Sequence, residues 1–105
     1  MRVGIDIVRI RRFAKIKKGD YKFWKTVFSE NEWRYCFKDA NFADHLAGVF
    51  ALKEAALKAM GVSSIAQIRK LKVGHLKGLP SVNLPKSAAS VSHDGEYAVA
   101  CVILS

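Results

Sequence analysis

The stretch HLAGVFALKEAALKAM (residues 45–60) constrains the fold more than any other part of the chain. It holds no proline and is dominated by strong helix formers. Asp44 is a predicted N-cap and Gly61 a predicted C′ residue, so the spacing predicts a helix from His45 to Met60. On a helical wheel its apolar face is Leu46, Val49, Phe50, Leu57 and Met60, with Ala47, Gly48 and Ala51 to one side. Lys53 falls near the middle of that stripe, and Glu54 and Lys58 fall along its border. A small protein has put a lysine where packing prefers leucine.

The segments around this helix read as strands. RVGIDIV alternates, placing Val3, Ile5 and Ile7 on one face and Gly4, Asp6 and Val8 on the other. RIRRFAKIKKGD then reads as a short basic helix or turn. Ser29 with Glu32 three residues on is a capping box, predicting a helix from about Ser29 to Phe37. After the long helix, Arg69–Leu76, Pro80–Leu84 and Ala88–His93 read as short strands. Asp94-Gly95 is a hairpin signal returning into EYAVACVIL. The expected fold is α+β, a long helix packed on a small antiparallel sheet, in one domain spanning residues 1–105. With Gly48 and Ala47 as points of close approach, the helix is expected to cross the first strand and bring Glu54 toward Asp6.

Half of the residues are hydrophobic, enough for a packed core, and the net charge is +9. The excess is uneven: residues 1–38 carry 11 Lys or Arg against 4 Asp or Glu. One strongly basic end implies an acidic or polyanionic partner. Asp6 and Arg9 interrupt the opening residues where a secretory signal needs an apolar run, and Tyr97–Leu104 is too short to span a bilayer. The expectation is a cytoplasmic protein that does not enter membranes, with Cys36 and Cys101 as reduced thiols in apolar surroundings. Interleaved aromatics (Phe23, Trp24, Phe28, Trp33) in the basic third admit an RNA-binding module, but no known RNA-binding signature accompanies them.

Asp6 sits within a strand of glycine and β-branched residues, where a carboxylate is costly unless paired or metal-bound. Two readings stand: an ion-paired or turn-capping aspartate, or a ligand to Mg²⁺, which takes one or two carboxylates and completes its shell with water and phosphate oxygens. Glu54 is the candidate second carboxylate. Lys58 lies one turn on, either in an ordinary surface pair with Glu54 or facing an anionic ligand. Lys53 either snorkels to water or faces the same ligand. His93 precedes the Asp94-Gly95 turn, where a histidine is usually structural. His45 and His75 have no partner legible in the sequence.

Taken in order, GIDIV, FSENEWRYC, LAGVFALKEAALKAMG, GLPSVNL and SVSHDGEYAVACVIL resemble the holo-[acyl-carrier-protein] synthases, the small 4′-phosphopantetheinyl transferases, along essentially the whole chain. The resemblance implies transfer of 4′-phosphopantetheine from coenzyme A to a serine of an acidic apo acyl carrier protein, with release of 3′,5′-ADP. It implies that Asp6 and Glu54 hold Mg²⁺, that Glu54 takes the serine proton, and that Lys58 binds the pyrophosphate. Lys53 and His93 match residues near the nucleotide. The family's glycine loop is here GVSSI, which keeps Gly61 and offers Ser63 and Ser64 as donors. Arg12 matches a carrier-docking arginine, with Arg9 and Lys15 beside it to steer encounter. The resemblance further implies a homotrimer with sites between subunits. A relative that binds coenzyme A without catalysis is the alternative within the same fold.

Overall fold

A computed structural model describes residues 1–105. Strand β1 (Arg2–Arg9) leads through 3-10 turns at Ile10–Phe13 and Lys18–Asp20 into helices α1 (Tyr21–Trp24), α2 (Glu30–Cys36) and α3 (Phe42–Met60). A further 3-10 turn, Ile65–Lys70, precedes strands β2 (Val73–Leu76), β3 (Leu79–Val82), β4 (Ser87–Asp94) and β5 (Tyr97–Leu104). The strands form two antiparallel sheets, one ordered β1-β5-β4 and the other the hairpin β2-β3. No helix is long and apolar enough to cross a membrane.

Local signals set several boundaries. The capping box at α2 is complete: Ser29 Oγ accepts from the Glu32 amide, and Glu32 accepts from the Ser29 amide. Gly61 ends α3 in the left-handed conformation at φ 74°, its amide bonded back to the Leu57 and Lys58 carbonyls. Asp94-Gly95 joins β4 to β5. Other boundaries differ from expectation. Helix α3 starts at Phe42, not His45, because the His45 amide already bonds the Asn41 carbonyl; Asp44 is inside the first turn. The strand expected from Arg69 starts only at Val73, and residues 65–70 are a 3-10 turn. Side chains claim the backbone there, with the Lys72 amide bonded to Asn83 and the Val73 amide to Glu32. Strand β3 stops at Val82, since Asn83 turns its side chain back to the Lys70 carbonyl.

Helix α3 lies over the inner face of the three-stranded sheet and is buried nearly all round. That face is built by alternation: Gly4, Asp6 and Val8 on β1; Ala98, Ala100 and Val102 on β5; Ala89, Val91 and His93 on β4. The close approach of helix and strand rests on β1, not on Gly48 and Ala47. A Cβ on Gly4 would stand 1.9 Å from the Ala55 carbonyl oxygen and 2.7 Å from the Ala59 amide nitrogen. Gly48 faces His93 and Val91 instead, with the His93 Nε2 3.3 Å from its absent Cβ. The outer face of the sheet is apolar and uncovered, with Val3 64%, Ile5 61% and Ile7 62% exposed. Of Phe23, Trp24, Phe28 and Trp33, only Phe23 is exposed; Phe28 and Trp33 are buried and Trp24 packs against the core, so those three are not free to stack on bases.

Because the atoms facing Gly4 are backbone, they cannot move aside. Gly4→Ala is expected to cost roughly 3 kcal/mol or more, the upper range for overpacking, read as a lower midpoint in urea unfolding. An unchanged midpoint would show that the strand and helix separate freely.

Candidate functional site

On β1, Asp6 points to the inner face one residue pair beyond Gly4, which brings it against the C-terminal part of α3. There it meets Lys58, whose Nζ lies 3.2 Å from Asp6 Oδ1 and 3.0 Å from the Ile5 carbonyl. The Asp6 side chain is largely buried, while the Lys58 side chain stays 55% exposed. Glu54 stands one turn before Lys58. Burial, and after it the negative charge of Asp6, hold its carboxyl above the usual carboxylate range, against the pull of Lys58 and Arg12. A shallow depression of about 440 Å³, lined by Ile5, Asp6, Ile7, Lys58 and Val99, opens here to solvent. The site is thus two carboxylates and an exposed ammonium at a sheet edge. Two neighbouring acids with too little compensation suit a cation or a proton.

Arg12 adjoins this site. Its guanidinium lies over the rings of Phe50 and Phe13, 5.4 Å and 5.8 Å from their centres, and Phe50 is one turn before Glu54 on α3. Arg9 closes over Tyr97 and donates to its hydroxyl at 3.0 Å. Lys15 is exposed just beyond. Of these three cations, Arg12 is the one whose charge reaches Glu54.

Lys53 is placed elsewhere. Its side chain is 1% exposed, and its Nζ donates to Glu32 Oε1 and to the Val27 carbonyl, each at 2.6 Å. It lines neither depression and has no access to a ligand, so the expected nucleotide contact from Lys53 is corrected to a buried ion pair. Burial pushes its ammonium below the usual lysine range, and Glu32 opposes that shift. The reason is positional: a residue about 100° around the helix from Glu54 faces α2 and not the sheet edge.

His93 lies on the opposite flank of α3. On the inner face of the sheet, β1 and β4 are the two edges, so Asp6 and His93 share a face but are separated by the helix crossing between them. His93 Nε2 is 3.1 Å from the Asp44 carbonyl. It borders a cleft of about 280 Å³ that also draws on Tyr35, His45, Gly48, His75 and Pro80. All three histidines of the chain therefore meet at one cleft, which shares no residue with the carboxylate depression. His75 stacks on Tyr35 with ring centres 3.8 Å apart and planes 8° from parallel. His45 bonds Asp39 at 2.9 Å. Sequence reasoning missed His45 and His75, which are remote from each other in the chain; only the turn of β2 toward α2 joins them. Gly61 ends α3 beside the Arg2 guanidinium, Ser63 follows two residues on, and neither lines either depression.

The charge state of Glu54 yields a prediction. A carboxyl raised in the folded state favours folding while protonated, and that contribution is lost as pH rises from its unfolded value through its folded one. At neutral pH an ionised Glu54 therefore lowers stability. Glu54→Gln is expected to raise the thermal midpoint at pH 7 and to flatten its decline between about pH 4.5 and neutrality, measured by calorimetry without added metal. A lower midpoint would mean that the carboxylate is paired.

The sequence model of the 4′-phosphopantetheinyl transferase superfamily matches residues 2–102. Holo-[acyl-carrier-protein] synthase of Thermodesulfovibrio yellowstonii is 39% identical over 109 residues, covering 98% of this chain and 96% of that protein. The synthase of Finegoldia magna is 38% identical over 112 residues, covering 99% and 95%. Among solved structures, the Helicobacter pylori synthase in complex with coenzyme A superposes with TM-score 0.83 at 35% identity, covering 98% of this chain and 99% of that one. The Bacillus anthracis synthase in complex with coenzyme A (3′,5′-ADP) gives 0.77 at 30% identity, covering 96% and 92%.

Proposed function

The chain belongs to the 4′-phosphopantetheinyl transferase superfamily, and from that premise we propose that it is a holo-[acyl-carrier-protein] synthase: it moves 4′-phosphopantetheine from coenzyme A to a serine of apo acyl carrier protein. What supports this most is the meeting of Asp6, Glu54 and Lys58 at one partly open site.

In the proposed reaction the serine oxygen forms a bond to the phosphorus that carries pantetheine. The bond from that phosphorus to the oxygen of 3′,5′-ADP breaks, and the serine proton passes to Glu54. A carboxylate held above its ordinary range is a better base than an exposed one. Lys58, exposed and only loosely held by Asp6, can swing to the pyrophosphate and balance charge on the departing phosphate. Gly61 and Ser63, in the loop after α3, are proposed to contact coenzyme A.

The donor set fits Mg²⁺. No cluster of three His, Cys, Asp or Glu side chains is present. Asp6 and Glu54, close enough for the charge of one to act on the other, offer the two carboxylates that Mg²⁺ accepts, with water and phosphate oxygens as its remaining ligands. The ion, when bound, would neutralise charge on the transferring phosphoryl group.

The histidine cleft, with His93 at its rim, is proposed as the seat of the nucleotide end of coenzyme A. Since α3 separates that cleft from the carboxylates, one ligand reaching both fits a site composed by two subunits. The uncovered apolar face of Val3, Ile5 and Ile7, continued by Val99, Cys101 and Ile103 on β5, is a surface that association would cover. A homotrimer is the assembly proposed. Arg12, whose charge reaches Glu54, is proposed to dock an acidic carrier protein, with Arg9 and Lys15, on the same basic segment, steering its approach.

Mixed with coenzyme A, Mg²⁺ and apo acyl carrier protein, the protein is expected to raise the carrier's mass by one phosphopantetheine. Asp6→Asn and Glu54→Gln should each lower that rate by ~10²-fold or more while remaining folded; full activity in both would remove the assigned roles. Light scattering should give the mass of a trimer for the native chain and of a monomer for Ile103→Asp. A native monomer would end the two-subunit site.

A further inference from the structure

The histidine cleft is assembled from parts that backbone pairing does not join. Tyr35 comes from α2, His45 and Gly48 from α3, and His75 from the β2-β3 hairpin, which is a separate sheet from β1-β5-β4. One buried side chain bridges the three elements. Glu32, on α2, accepts the Val73 amide of β2 on Oε2 at 2.6 Å and the Lys53 ammonium of α3 on Oε1 at 2.6 Å. Tyr35 is one turn on from Glu32, and His75 is two residues on from Val73, on the same side of the strand. The strand that carries His75 and the helix that carries His45 are thus both tied, through one carboxylate, to α2, which carries Tyr35. Lys53 supplies the charge without which that carboxylate could not stay buried.

We propose that the Glu32–Lys53 pair is a positioning device for this cleft: it fixes the hairpin against α2 and α3 and so sets affinity for the nucleotide end of coenzyme A without touching it. This rests on the cleft being the nucleotide seat. The pair faces away from Asp6 and Glu54, so its loss acts on binding more than on chemistry.

The separating variant is Val73→Pro. It removes the one amide that Glu32 holds on β2, at the first residue of a strand where proline is tolerated, and leaves the ion pair whole. Glu32→Gln, which removes the charge, is the second variant. In each folded variant, 3′,5′-ADP is expected to bind ~10-fold more weakly by titration calorimetry, with KM for coenzyme A rising in step and kcat within about twofold of native. The His75 ring protons should lose the upfield shift imposed by Tyr35 in proton NMR, moving toward their unfolded positions. Native affinity and a native His75 signal in Val73→Pro would overturn the proposal, as would a fall in kcat with KM unchanged. If the native protein failed to bind 3′,5′-ADP, the nucleotide seat would fall, and the His75 signal in Val73→Pro would still decide the positioning role.

Discussion

Everything at the carboxylate site depends on how closely β1 can lie on α3, and that is decided at Gly4. The strand has period two and the helix 3.6, so only a short length of each can be in register with the other. At the crossing, the Gly4 α-carbon is pressed against the Ala55 carbonyl, leaving no room for a side chain. Two residues on, Asp6 meets the exposed side of the same turn, where Lys58 emerges, and Glu54 lies one turn back. Alanines 55, 56 and 59 keep the helix thin on this side. A larger residue at the crossing would lift the strand and move Asp6 away from both partners. The contact that builds the core is thus the same one that brings two acids together.

That convergence runs against stability. Burial and a like charge both disfavour an ionised Glu54, and the neighbouring cations recover only part of the loss. A fold selected only for packing would place alanine or leucine there. The same helix holds a contrasting case one residue earlier. Lys53 is more deeply buried than Glu54, yet its ammonium meets a carboxylate and a carbonyl at short distance, and no buried side-chain polar atom in the chain lacks a partner. One charge is answered within the fold and the other is left open toward solvent. The open one is where a ligand gains from binding.

How far these features could be read in the sequence follows from the range of the interactions that make them. The capping box at Ser29 and Glu32, the left-handed Gly61 and the Asp94-Gly95 turn involve neighbours within a few residues, and each stands where its pattern put it. Asp6 and Glu54 were legible as unusual positions in regular elements, and the alternation of β1 gave Asp6 its face. The partner of Lys53 was not legible, because Glu32 is remote in sequence and its own local pattern already explained it as a helix cap. Glu32 does both tasks with different lone pairs. The start of β2 was misjudged for the same reason, since a side chain from α2 takes the amide there. The histidine cleft needed three such distant contacts at once.

The two sites answer to different parts of the fold, and the helix between them explains why. Asp6 is on one edge strand and His93 on the other, with α3 filling the interval and Gly48 giving His93 room beside it. A ligand long enough to use both cannot pass through the helix. It must go round, or meet the second site on another copy. The outer face of the sheet carries Ile5 and Ile7 on either side of Asp6, both more than half exposed. Burying that face against a second copy would exclude water from the flank of the carboxylates and strengthen every charge interaction there. An assembled protein would therefore hold its acidic pair in a drier setting than the single chain does, while the histidine cleft, ordered from within by Glu32 and Lys53, would be complete before assembly.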